Sequence, residues 1–375
     1  MSHVVIAPDK FKGTLTAAQV AAHVAAGLER ACPGLKYVQA PVADGGDGTV
    51  DAAEAAGYRR VELVVRGPTG RPTTAALAFR EGTAIIESAQ ASGLSRLPDG
   101  VPAPLTASSR GAGELIGAAV RMGAKRIVLG LGGVACTDGG AGLVTALGAR
   151  LLDESGAELP PGGAALARLH RIDVSGLTDL SGTDVIAATD VDNPLLGERG
   201  AAAVYAPQKG ASAEEVTILE DGLARWADVT ERALGRRIRD DPGAGAAGGL
   251  GFAALAFLGA RMRPGIELLL DLLSFAGHLP GARLVITGEG ALDTQTLHGK
   301  APVGVARATA AAAPGVPVVA VAGICSLTAD QLRSAGIAAA YALADIEPDL
   351  ARCREQAGSL LEELAVILAR DWIVP

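Results

Sequence analysis

Acidic and basic residues occur together in short loops that directly follow apolar segments of this sequence. The segment HVVIAP leads into DKFKG, which contains Lys10 and Lys12, and YVQAPVA leads into DGGDGT, which contains Asp44 and Asp47. Lysine side chains suit an anionic ligand, whereas carboxylates suit Mg²⁺ or a general base. A capped turn with surface ion pairs explains either loop alone about equally well, because Asp and Gly favour turns.

The apolar segment DVIAAT leads into a third acidic loop, which runs from Asp190 through Asp192 and Asn193 to a proline. Oxygen ligands two residues apart can point into one site, and Mg²⁺ binds through only one or two carboxylates. An Asx-turn before the proline accounts equally well for Asp192 and Asn193, but less well for Asp190, which directly ends the apolar segment. Asp190 is therefore the first candidate for a general base or a metal ligand.

A fourth loop follows the apolar segment RLVIT. It places Glu289 between Gly288 and Gly290, with Asp293 and Lys300 close behind. Packing poorly explains a glutamate between two glycines at the end of a buried strand, which favours a functional role.

Arg110 follows two serines in the segment SSRG and is the remaining basic candidate. A guanidinium group can hold a carboxylate or phosphate through two hydrogen bonds, although a solvated arginine is the ordinary interpretation. A Walker A loop is absent, because Lys300 follows Gly299 but precedes Ala301. The acidic loops, the lysines, the many glycines and the lack of Cys or His motifs fit Mg²⁺-assisted phosphoryl transfer on another phosphate cradle.

Glycine-rich dinucleotide motifs are present only in imperfect form. GAGAAG (243–248) has the spacing G-x-G-x-x-G but follows RIRDDP instead of a strand, so we favour a closely packed entry to a helix. GLGGVA (130–135) does follow a strand, and Asp153 stands where a ribose-binding acid is sought, but TDGG (137–140) interrupts the required helix. An NAD-dependent dehydrogenase is therefore kept as an alternative.

The elements that position these loops follow an α/β pattern. Strands alternate with helices at both ends of the chain, which predicts a parallel sheet, with Thr16 opening a capping box and Thr49 capping the second helix. In the middle, VELVVRG, TTAALAF and TAIIES leave no room for helices and predict an antiparallel meander. We expect a Rossmann-like domain from residues 1–59 and 284–375, a second α/β domain of mixed sheet inserted at 60–283, and a ligand cleft between them.

Composition excludes several classes of protein. The net charge of −8 argues against a nucleic-acid-binding protein, and no run of apolar residues is long enough to predict a membrane span. The 4 cysteines are scattered without a CxxC motif, which is typical of reduced thiols in a cytoplasmic protein. We expect a small-molecule substrate, no nucleic-acid or membrane partner, and a monomer or homodimer.

The sequence as a whole resembles the bacterial glycerate kinase family, of the two-domain type without a P-loop. The resemblance runs nearly from end to end and is carried by a series of ordered blocks. These blocks are APDKFKGTLTA (7–17), PVADGGDGTVDA (41–52), RGPTGRP (66–72), IESAQASGL (86–94), SSRGAGELI (108–116), GLGGVACTDGGAGLVTALGA (130–149), TDVDNPLLGERGAAAVYAPQKGA (189–211), GAGAAGGLGF (243–252) and LVITGEGALDTQTLHGKAPVGVA (284–306).

The resemblance implies ATP-dependent phosphorylation of D-glycerate with Mg²⁺, in glycerate or glyoxylate metabolism. It implies 2-phosphoglycerate as the product, with 3-phosphoglycerate as the alternative, and a discontinuous Rossmann-like domain beside a second α/β domain. The pentapeptide GGDGT (45–49) alone is also similar to kinases that act on other hydroxylated acceptors. A non-catalytic small-molecule sensor is a further alternative, although the retained acidic loops argue against it.

Residue chemistry and the resemblance together define an expected site. The expected groups are Asp190, Lys10 and Asp47 in catalysis; Lys12, Asp44, Arg110 and Asp138 in substrate binding; Gly45, Gly46, Gly48, Gly288, Glu289, Gly290 and Lys300 in nucleotide binding; and Asp190, Glu289 and Asp293 in metal binding.

The chain departs from the family pattern in two places. Where the family has GGSATNDGG, this chain has Val134, Cys136 and Thr137, so ligand contacts are not carried over to these positions, whereas Asp138 matches. Where the family usually has ADGGEGT, Asp47 shortens the acidic side chain by one methylene, about 1.5 Å.

Overall fold

The computed structural model describes residues 2–374, apart from the side chain of His298. The chain divides into two compact units by its internal contacts. Unit 1 comprises the chain up to Asp44, Asp51–Gly57, and the chain from Pro264 onward, whereas unit 2 comprises Gly45–Val50 and Tyr58–Arg263.

The boundaries of this division differ from the expected ones. Residues 264–283 were expected in the inserted domain but belong to unit 1, because Ile266 and Leu270 pack in the core of that unit. The segment Gly45–Val50 belongs by its contacts to unit 2, although the residues on either side of it belong to unit 1.

Strands and helices are numbered here in chain order. The strands are β1 (His3–Pro8), β2 (Tyr37–Gln39), β3 (Arg59–Arg66), β4 (Pro72–Arg80), β5 (Thr83–Glu87), β6 (Arg126–Gly130), β7 (Arg150–Leu152), β8 (Arg171–Asp173), β9 (Asp184–Ala188), β10 (Arg261–Arg263), β11 (Ala282–Leu292), β12 (Val318–Cys325) and β13 (Ala339–Ala342). The α-helices are α1 (Ala17–Ala31), α2 (Thr49–Ala55), α3 (Ser88–Ser92), α4 (Arg110–Arg121), α5 (Ala141–Ala146), α6 (Ala201–Tyr205), α7 (Ala213–Leu234), α8 (Ala246–Phe257), α9 (Gly265–Leu272), α10 (Ala301–Ala312), α11 (Ala329–Ser334), α12 (Leu350–Glu355) and α13 (Ala357–Trp372).

Unit 1 contains a five-stranded sheet in the order β13-β12-β11-β1-β2, and every neighbouring pair in it is parallel. Successive side chains of a strand point to opposite faces of the sheet. Val4 and Ile6 accordingly join one apolar cluster with α1 and α13, whereas Val5 and Ala7 join another with α9 and α10. Helices therefore cover both faces, and the predicted Rossmann-like fold from both chain ends is confirmed.

Unit 2 contains a six-stranded mixed sheet in the order β10-β9-β6-β5-β4-β3. The pairs β3–β4 and β4–β5 are antiparallel, as the predicted meander requires. The pairs β5–β6, β6–β9 and β9–β10 are parallel, so the carboxyl ends of four strands lie at one edge. The inserted α/β architecture with a mixed sheet is confirmed.

Local capping agrees with the sequence at one predicted position and differs at the other. The Thr16 hydroxyl accepts the Gln19 N–H, and the Gln19 side chain accepts the Thr16 N–H, which completes the predicted capping box of α1. Thr49 instead lies in the first turn of α2, and its hydroxyl donates to the Gly46 carbonyl at 2.6 Å. That hydroxyl therefore closes the GGDGT turn.

In the described part of the chain, no helix combines the length and the apolar character needed to cross a bilayer.

Candidate functional site

In unit 1, three loops with charged residues leave the same edge of the parallel sheet. β1 pairs with both β2 and β11, so the first two strands of the chain are neighbours in the sheet. Beyond the end of β2, the Ala40 N–H still donates to Ile6 O at 2.8 Å and the Val42 N–H to Pro8 O at 3.0 Å. These bonds carry the chain alongside β1 as far as Val42, two residues before Asp44. The carboxyl ends of β1, β2 and β11 thus present their side chains on one side of unit 1.

Asp9 is a buried carboxylic acid at the end of β1, with 6% of its surface exposed. Burial raises the pKa of Asp9 to about 7, against the lowering effect of Lys10, and the negative charges of Asp44 and Glu289 raise it further. The Lys10 N–H donates to Asp9 Oδ1 at 2.6 Å, and Lys10 Nζ lies 3.6 Å from the same oxygen. The DKFKG loop thus supplies an acid that titrates near neutral pH, which the sequence analysis had not selected.

Glu289 is buried on β11, and both of its carboxylate oxygens have partners. Thr296 donates its hydroxyl hydrogen to Oε1 at 2.5 Å, and Lys300 Nζ lies 3.4 Å from Oε2. Burial raises the pKa of Glu289, while the Thr296 hydrogen bond and the Lys300 charge oppose that rise. The expected nucleotide-site residues Glu289 and Lys300 therefore form one ion pair, with Lys300 at the N-cap of α10.

The neighbouring expected residues of this loop have defined local roles. Asp293 Oδ1 accepts the N–H groups of Gln295 at 2.8 Å and Thr296 at 3.3 Å, which closes an Asx-type turn. A Cβ atom on Gly288 would lie 2.3 Å from the Val321 carbonyl oxygen, and one on Gly290 would lie 3.4 Å from the Lys12 nitrogen. These two glycines therefore let neighbouring backbone approach Glu289 closely.

The GGDGT segment packs against the end of β6 in unit 2. A Cβ on Gly130 would lie 2.2 Å from the Gly45 carbonyl oxygen, and one on Gly132 would lie 3.2 Å from the Gly46 Cα. Both Gly45 and Gly48 have positive φ angles, +89° and +87°, which favour glycine. The glycines of both segments thus allow the two backbones to approach closely and the GGDGT turn to form. Close packing therefore explains GLGGVA at 130–135 without a bound dinucleotide.

Asp47 and Glu87 fix the position of this segment. Asp47 Oδ1 lies 2.8 Å from where a Cβ of Gly133 would be, so the carboxylate sits directly against that glycine. Glu87, buried at the end of β5, accepts the Val50 N–H through Oε2 at 3.3 Å. Glu87 was not among the predicted site residues, although it stands in the IESAQASGL block.

Asp138 is 1% exposed and binds the surrounding backbone. Its Oδ2 accepts the Ser109 N–H at 2.8 Å, the Ser109 hydroxyl at 2.9 Å and the Gly142 N–H at 3.2 Å, and its Oδ1 accepts the Gly140 N–H at 3.1 Å. These four hydrogen bonds join the TDGG turn to the residues that begin α4. The expected role of Asp138 in substrate binding stays a prediction.

Arg110 is the first residue of α4 and is exposed. Its Nε lies 3.4 Å from Glu114 Oε1, one helical turn later, and its backbone N–H donates to Ser108 Oγ at 3.2 Å. Ser109 Oγ in turn accepts the Leu143 N–H at 2.9 Å. Several hydrogen bonds therefore hold the backbone at the N-terminus of α4, from which the Arg110 guanidinium extends.

Asp190 follows the carboxyl end of β9 in unit 2 and is exposed. Asp192 and Asn193 of the same loop form local contacts. Asp192 forms an exposed ion pair with Arg199 at 3.0 Å. Asn193 donates to the Arg199 carbonyl at 2.7 Å and accepts the Tyr205 hydroxyl at 2.6 Å. The local-turn interpretation thus suits Asp192 and Asn193, and Asp190 remains the candidate of this loop.

Val134, Cys136 and Thr137, which depart from the family pattern GGSATNDGG, are all buried. Val134 and Cys136 belong to a small apolar cluster with Leu97 and Ala107, and Thr137 is fully buried. Burial, followed by the Asp138 charge, raises the pKa of the Cys136 thiol, so the thiol stays protonated. These substitutions therefore bear on packing beneath the TDGG turn.

The GAGAAG segment is explained by packing, as the sequence analysis favoured. A Cβ on Gly245 would lie 2.1 Å from the Pro194 carbonyl oxygen, and one on Gly248 would lie 2.2 Å from the Cys136 carbonyl oxygen. Ala247, Gly248 and Gly249 have consecutive positive φ angles at the start of α8.

A Mg²⁺ ion is compatible with the donor groups present. Among the described side chains, which exclude His298, no cluster of three or more His, Cys, Asp or Glu is arranged to hold a metal. Mg²⁺ is usually held by one or two carboxylates together with substrate phosphates and waters, so it requires no such cluster. Among the three expected ligands, Asp190 is exposed, Glu289 is buried and Asp293 is half-buried.

Comparisons with known proteins agree over the whole chain. The glycerate kinase family model matches residues 4–373. The chain is 45% identical over 366 residues to glycerate kinase of Bacillus subtilis (strain 168), covering 96% of this chain and 95% of that protein. It is 46% identical over 332 residues to glycerate 2-kinase of Escherichia coli (strain K12), covering 87% and 86% respectively. A crystal structure assigned to glycerate kinase 2 of Salmonella typhimurium LT2 matches with a TM-score of 0.83 at 40% identity, covering 100% of both chains.

Proposed function

Because the chain belongs to the glycerate kinase family, we propose that it transfers the γ-phosphoryl group of ATP to the 2-hydroxyl of D-glycerate. The observation that carries this proposal is the relationship along nearly the entire chain to kinases named for glycerate. The Escherichia coli relative is named a glycerate 2-kinase, which supports 2-phosphoglycerate over 3-phosphoglycerate as the product.

In this proposal, unit 1 binds the nucleotide through the charged residues at its sheet edge. Lys10, Lys12 and Lys300 neutralise the triphosphate, since phosphoryl transfer depends mainly on positioning and charge neutralisation. Glu289 holds Lys300 in place through the ion pair between them. The exposed Lys12 and the half-buried Lys10 follow β1 directly, at the edge where α/β sheets bind ligands.

Mg²⁺, when bound, would neutralise charge on the transferred phosphoryl group. Asp190 in unit 2, and Glu289 or Asp293 in unit 1, are the residues that would offer it carboxylate oxygens.

Unit 2 binds D-glycerate in the same proposal. Arg110 attracts the substrate carboxylate, and its place at the N-terminus of α4 adds the positive end of a helix dipole. Asp138 and Ser109 hold that N-terminus in place through two hydrogen bonds.

Asp190 acts as the general base. The 2-hydroxyl oxygen of D-glycerate forms a bond to the γ-phosphorus, the bond from that phosphorus to the β–γ bridging oxygen breaks, and ADP leaves. The hydroxyl proton passes to the Asp190 carboxylate. Asp47 and the GGDGT backbone contribute through their fixed position on β6, where glycine allows N–H groups to approach a phosphate closely.

³¹P NMR of the product formed from D-glycerate, ATP and Mg²⁺ tests the activity and its regiochemistry together. We expect the resonance of 2-phosphoglycerate and equimolar ADP. The same reaction should be run with L-glycerate, glycerol, NAD and diacylglycerol as acceptors. A better acceptor than D-glycerate, or no phosphorylated glycerate at all, would contradict the proposal, and 3-phosphoglycerate would correct only its regiochemistry.

A further inference from the structure

Lys209 is a buried lysine that no step of the proposed reaction uses. It ends the short 3-10 helix Pro207–Lys209 of unit 2 and is 5% exposed. Its Nζ donates to the Cys136 carbonyl oxygen at 2.5 Å and lies 3.4 Å from Thr137 Oγ1. Burying an ammonium group is costly unless it is paired and hydrogen-bonded, and here burial lowers the pKa of Lys209. Because burying its ammonium group costs free energy, we infer that this lysine has a role of its own.

The backbone around Lys209 is shaped to admit its ammonium group. A Cβ on Gly248 would lie 2.8 Å from Lys209 Nζ and 2.2 Å from the Cys136 carbonyl oxygen. Gly248 stands between Ala247 and Gly249 in a run of positive φ angles of 54°, 68° and 86°. Alanine adopts this conformation only at a cost of order 1–3 kcal/mol. The start of α8 thus bends around the contact between Lys209 and Cys136.

The negative group that faces this lysine is Asp138. The Asp138 charge raises the pKa of Lys209, in opposition to burial. Asp138 follows directly after Cys136 and Thr137, whose oxygens Lys209 contacts. Lys209 therefore holds the backbone that leads into Asp138.

Asp138 in turn restrains the N-terminus of α4 through hydrogen bonds. Its Oδ2 accepts two hydrogen bonds from Ser109, at 2.8 and 2.9 Å, and the next residue is Arg110. The path from Lys209 thus runs inside unit 2 through its contacts with Cys136 and Thr137, along the backbone to Asp138, and through Ser109 to Arg110.

We propose that Lys209 is a positioning residue for the substrate carboxylate, which acts through Asp138 and Ser109 on Arg110. This inference rests on the proposed glycerate kinase activity. Lys209 does not touch the substrate; its contacts with Cys136 and Thr137 hold the TDGG turn in one conformation.

Steady-state kinetics of Lys209→Met test the inference in the full-length protein. Methionine has a similar length without the charge, and Lys125→Met, at an exposed lysine before β6, is the matched control. We expect the KM for D-glycerate to rise about tenfold or more, with the KM for ATP within about twofold of the wild type. A merely structural role would reduce the folded fraction, and hence the apparent kcat, without changing the KM of the molecules that remain folded.

A double mutant tests the path through Asp138. If Lys209 acts through that residue, Lys209→Met should raise the KM for D-glycerate much less in an Asp138→Asn background than in the wild type. Independent, multiplicative effects would overturn the proposed path.

A milder variant covers the case in which Lys209→Met does not fold. Thr137→Val removes one oxygen near Lys209 Nζ and keeps the side-chain volume. An unchanged KM for D-glycerate in folded Thr137→Val would then overturn the proposal. Absence of D-glycerate phosphorylation by the wild type would instead contradict the proposed function, so the two failures are distinguishable.

Discussion

The Ser109 hydroxyl donates a 2.9 Å hydrogen bond to Asp138 Oδ2, and the same oxygen accepts the Ser109 N–H at 2.8 Å. Asp138→Asn would place an amide NH₂ against at least one donor, because Gly140 donates to Oδ1 and Gly142 to Oδ2. Leaving a buried donor unsatisfied costs about 1–3 kcal/mol, so we expect the free energy of unfolding to fall by about that amount or more. Urea unfolding followed by circular dichroism measures the change.

Asp153→Asn is a matched control for this prediction. Asp153 accepts the N–H and hydroxyl of Ser155 and the Ala157 N–H, but it does so in an exposed turn. Water can satisfy those donors in the variant, so we expect little change in stability. Equal effects of the two substitutions would show that burial is not what makes Asp138 important.

Asp9→Asn should make stability less dependent on pH. The folded-state pKa of Asp9, about 7, lies above its ordinary value of 3.8, so folding disfavours ionisation of this group. The resulting penalty is absent below pH 3.8, grows as the pH rises, and is complete above about pH 7. Its upper limit is about 4 kcal/mol, from the size of the shift. Asparagine keeps the acceptor for the Lys10 N–H without the charge.

Thermal melts of wild type and Asp9→Asn between pH 4 and 8.5 measure this effect. We expect the Tm of the variant to exceed that of the wild type increasingly as the pH rises. Asp330→Asn removes an exposed carboxyl group of the same unit and should show no such trend. A constant difference across the range would contradict the assignment.

Gly27→Ala should destabilise unit 1. Gly27 lies in α1, and a Cβ there would lie 2.3 Å from the Glu362 carbonyl oxygen and 2.7 Å from the Ala365 Cβ in α13. In an exposed helix interior, replacing Gly with Ala increases the free energy of unfolding by about 0.8–1.0 kcal/mol. A decrease would therefore show that the added methyl group is too large for the space beside α13. We expect a loss of about 1–3 kcal/mol from overpacking.

Gly277→Ala provides the comparison, because no heavy atom lies within 4 Å of its added Cβ. Calorimetry of both variants measures the difference. A Gly27→Ala protein with a Tm at or above the wild-type value would refute the close approach of α1 and α13.

Asp190→Asn should lower kcat by about 10²–10⁴-fold if Asp190 is the general base. Asp192→Asn removes a carboxylate two residues away that pairs with Arg199 on the surface, so its kcat should stay close to that of the wild type. Initial rates at saturating ATP and D-glycerate measure both variants. Near-normal turnover in folded Asp190→Asn would exclude this role for Asp190.

Local patterns carried most of the information about the fold. Period-2 and apolar segments predicted the five parallel strands of unit 1 and the antiparallel meander, and Thr16 predicted its capping box. The boundary near residue 284 was misplaced because an amphipathic helix such as α9 does not reveal which of two sheets it covers. That choice depends on Ile266 and Leu270 meeting a core built from the other end of the chain.

Site residues were predictable where chemistry coincided with a strand end. Glu289 and Asp190 were found in this way. Asp190 does follow β9, whereas Glu289 lies within β11, which continues to Leu292. Asp9 stood in a selected loop, but its burial depends on neighbours from β2 and β11. Lys209 gave no local signal, because the sequence PQK does not reveal that Gly248 and Cys136 will enclose the side chain.

The central strand β1 has consequences for how the protein is made. It pairs with β2 on one side and with β11 on the other, and β11 begins at Ala282. Three of the five strands of unit 1 are therefore still unsynthesised when unit 2 is complete at Arg263. During translation, the sequence of unit 2 is therefore complete before that of unit 1. The earliest segment of the chain must wait for the last third of translation before its sheet can close around it.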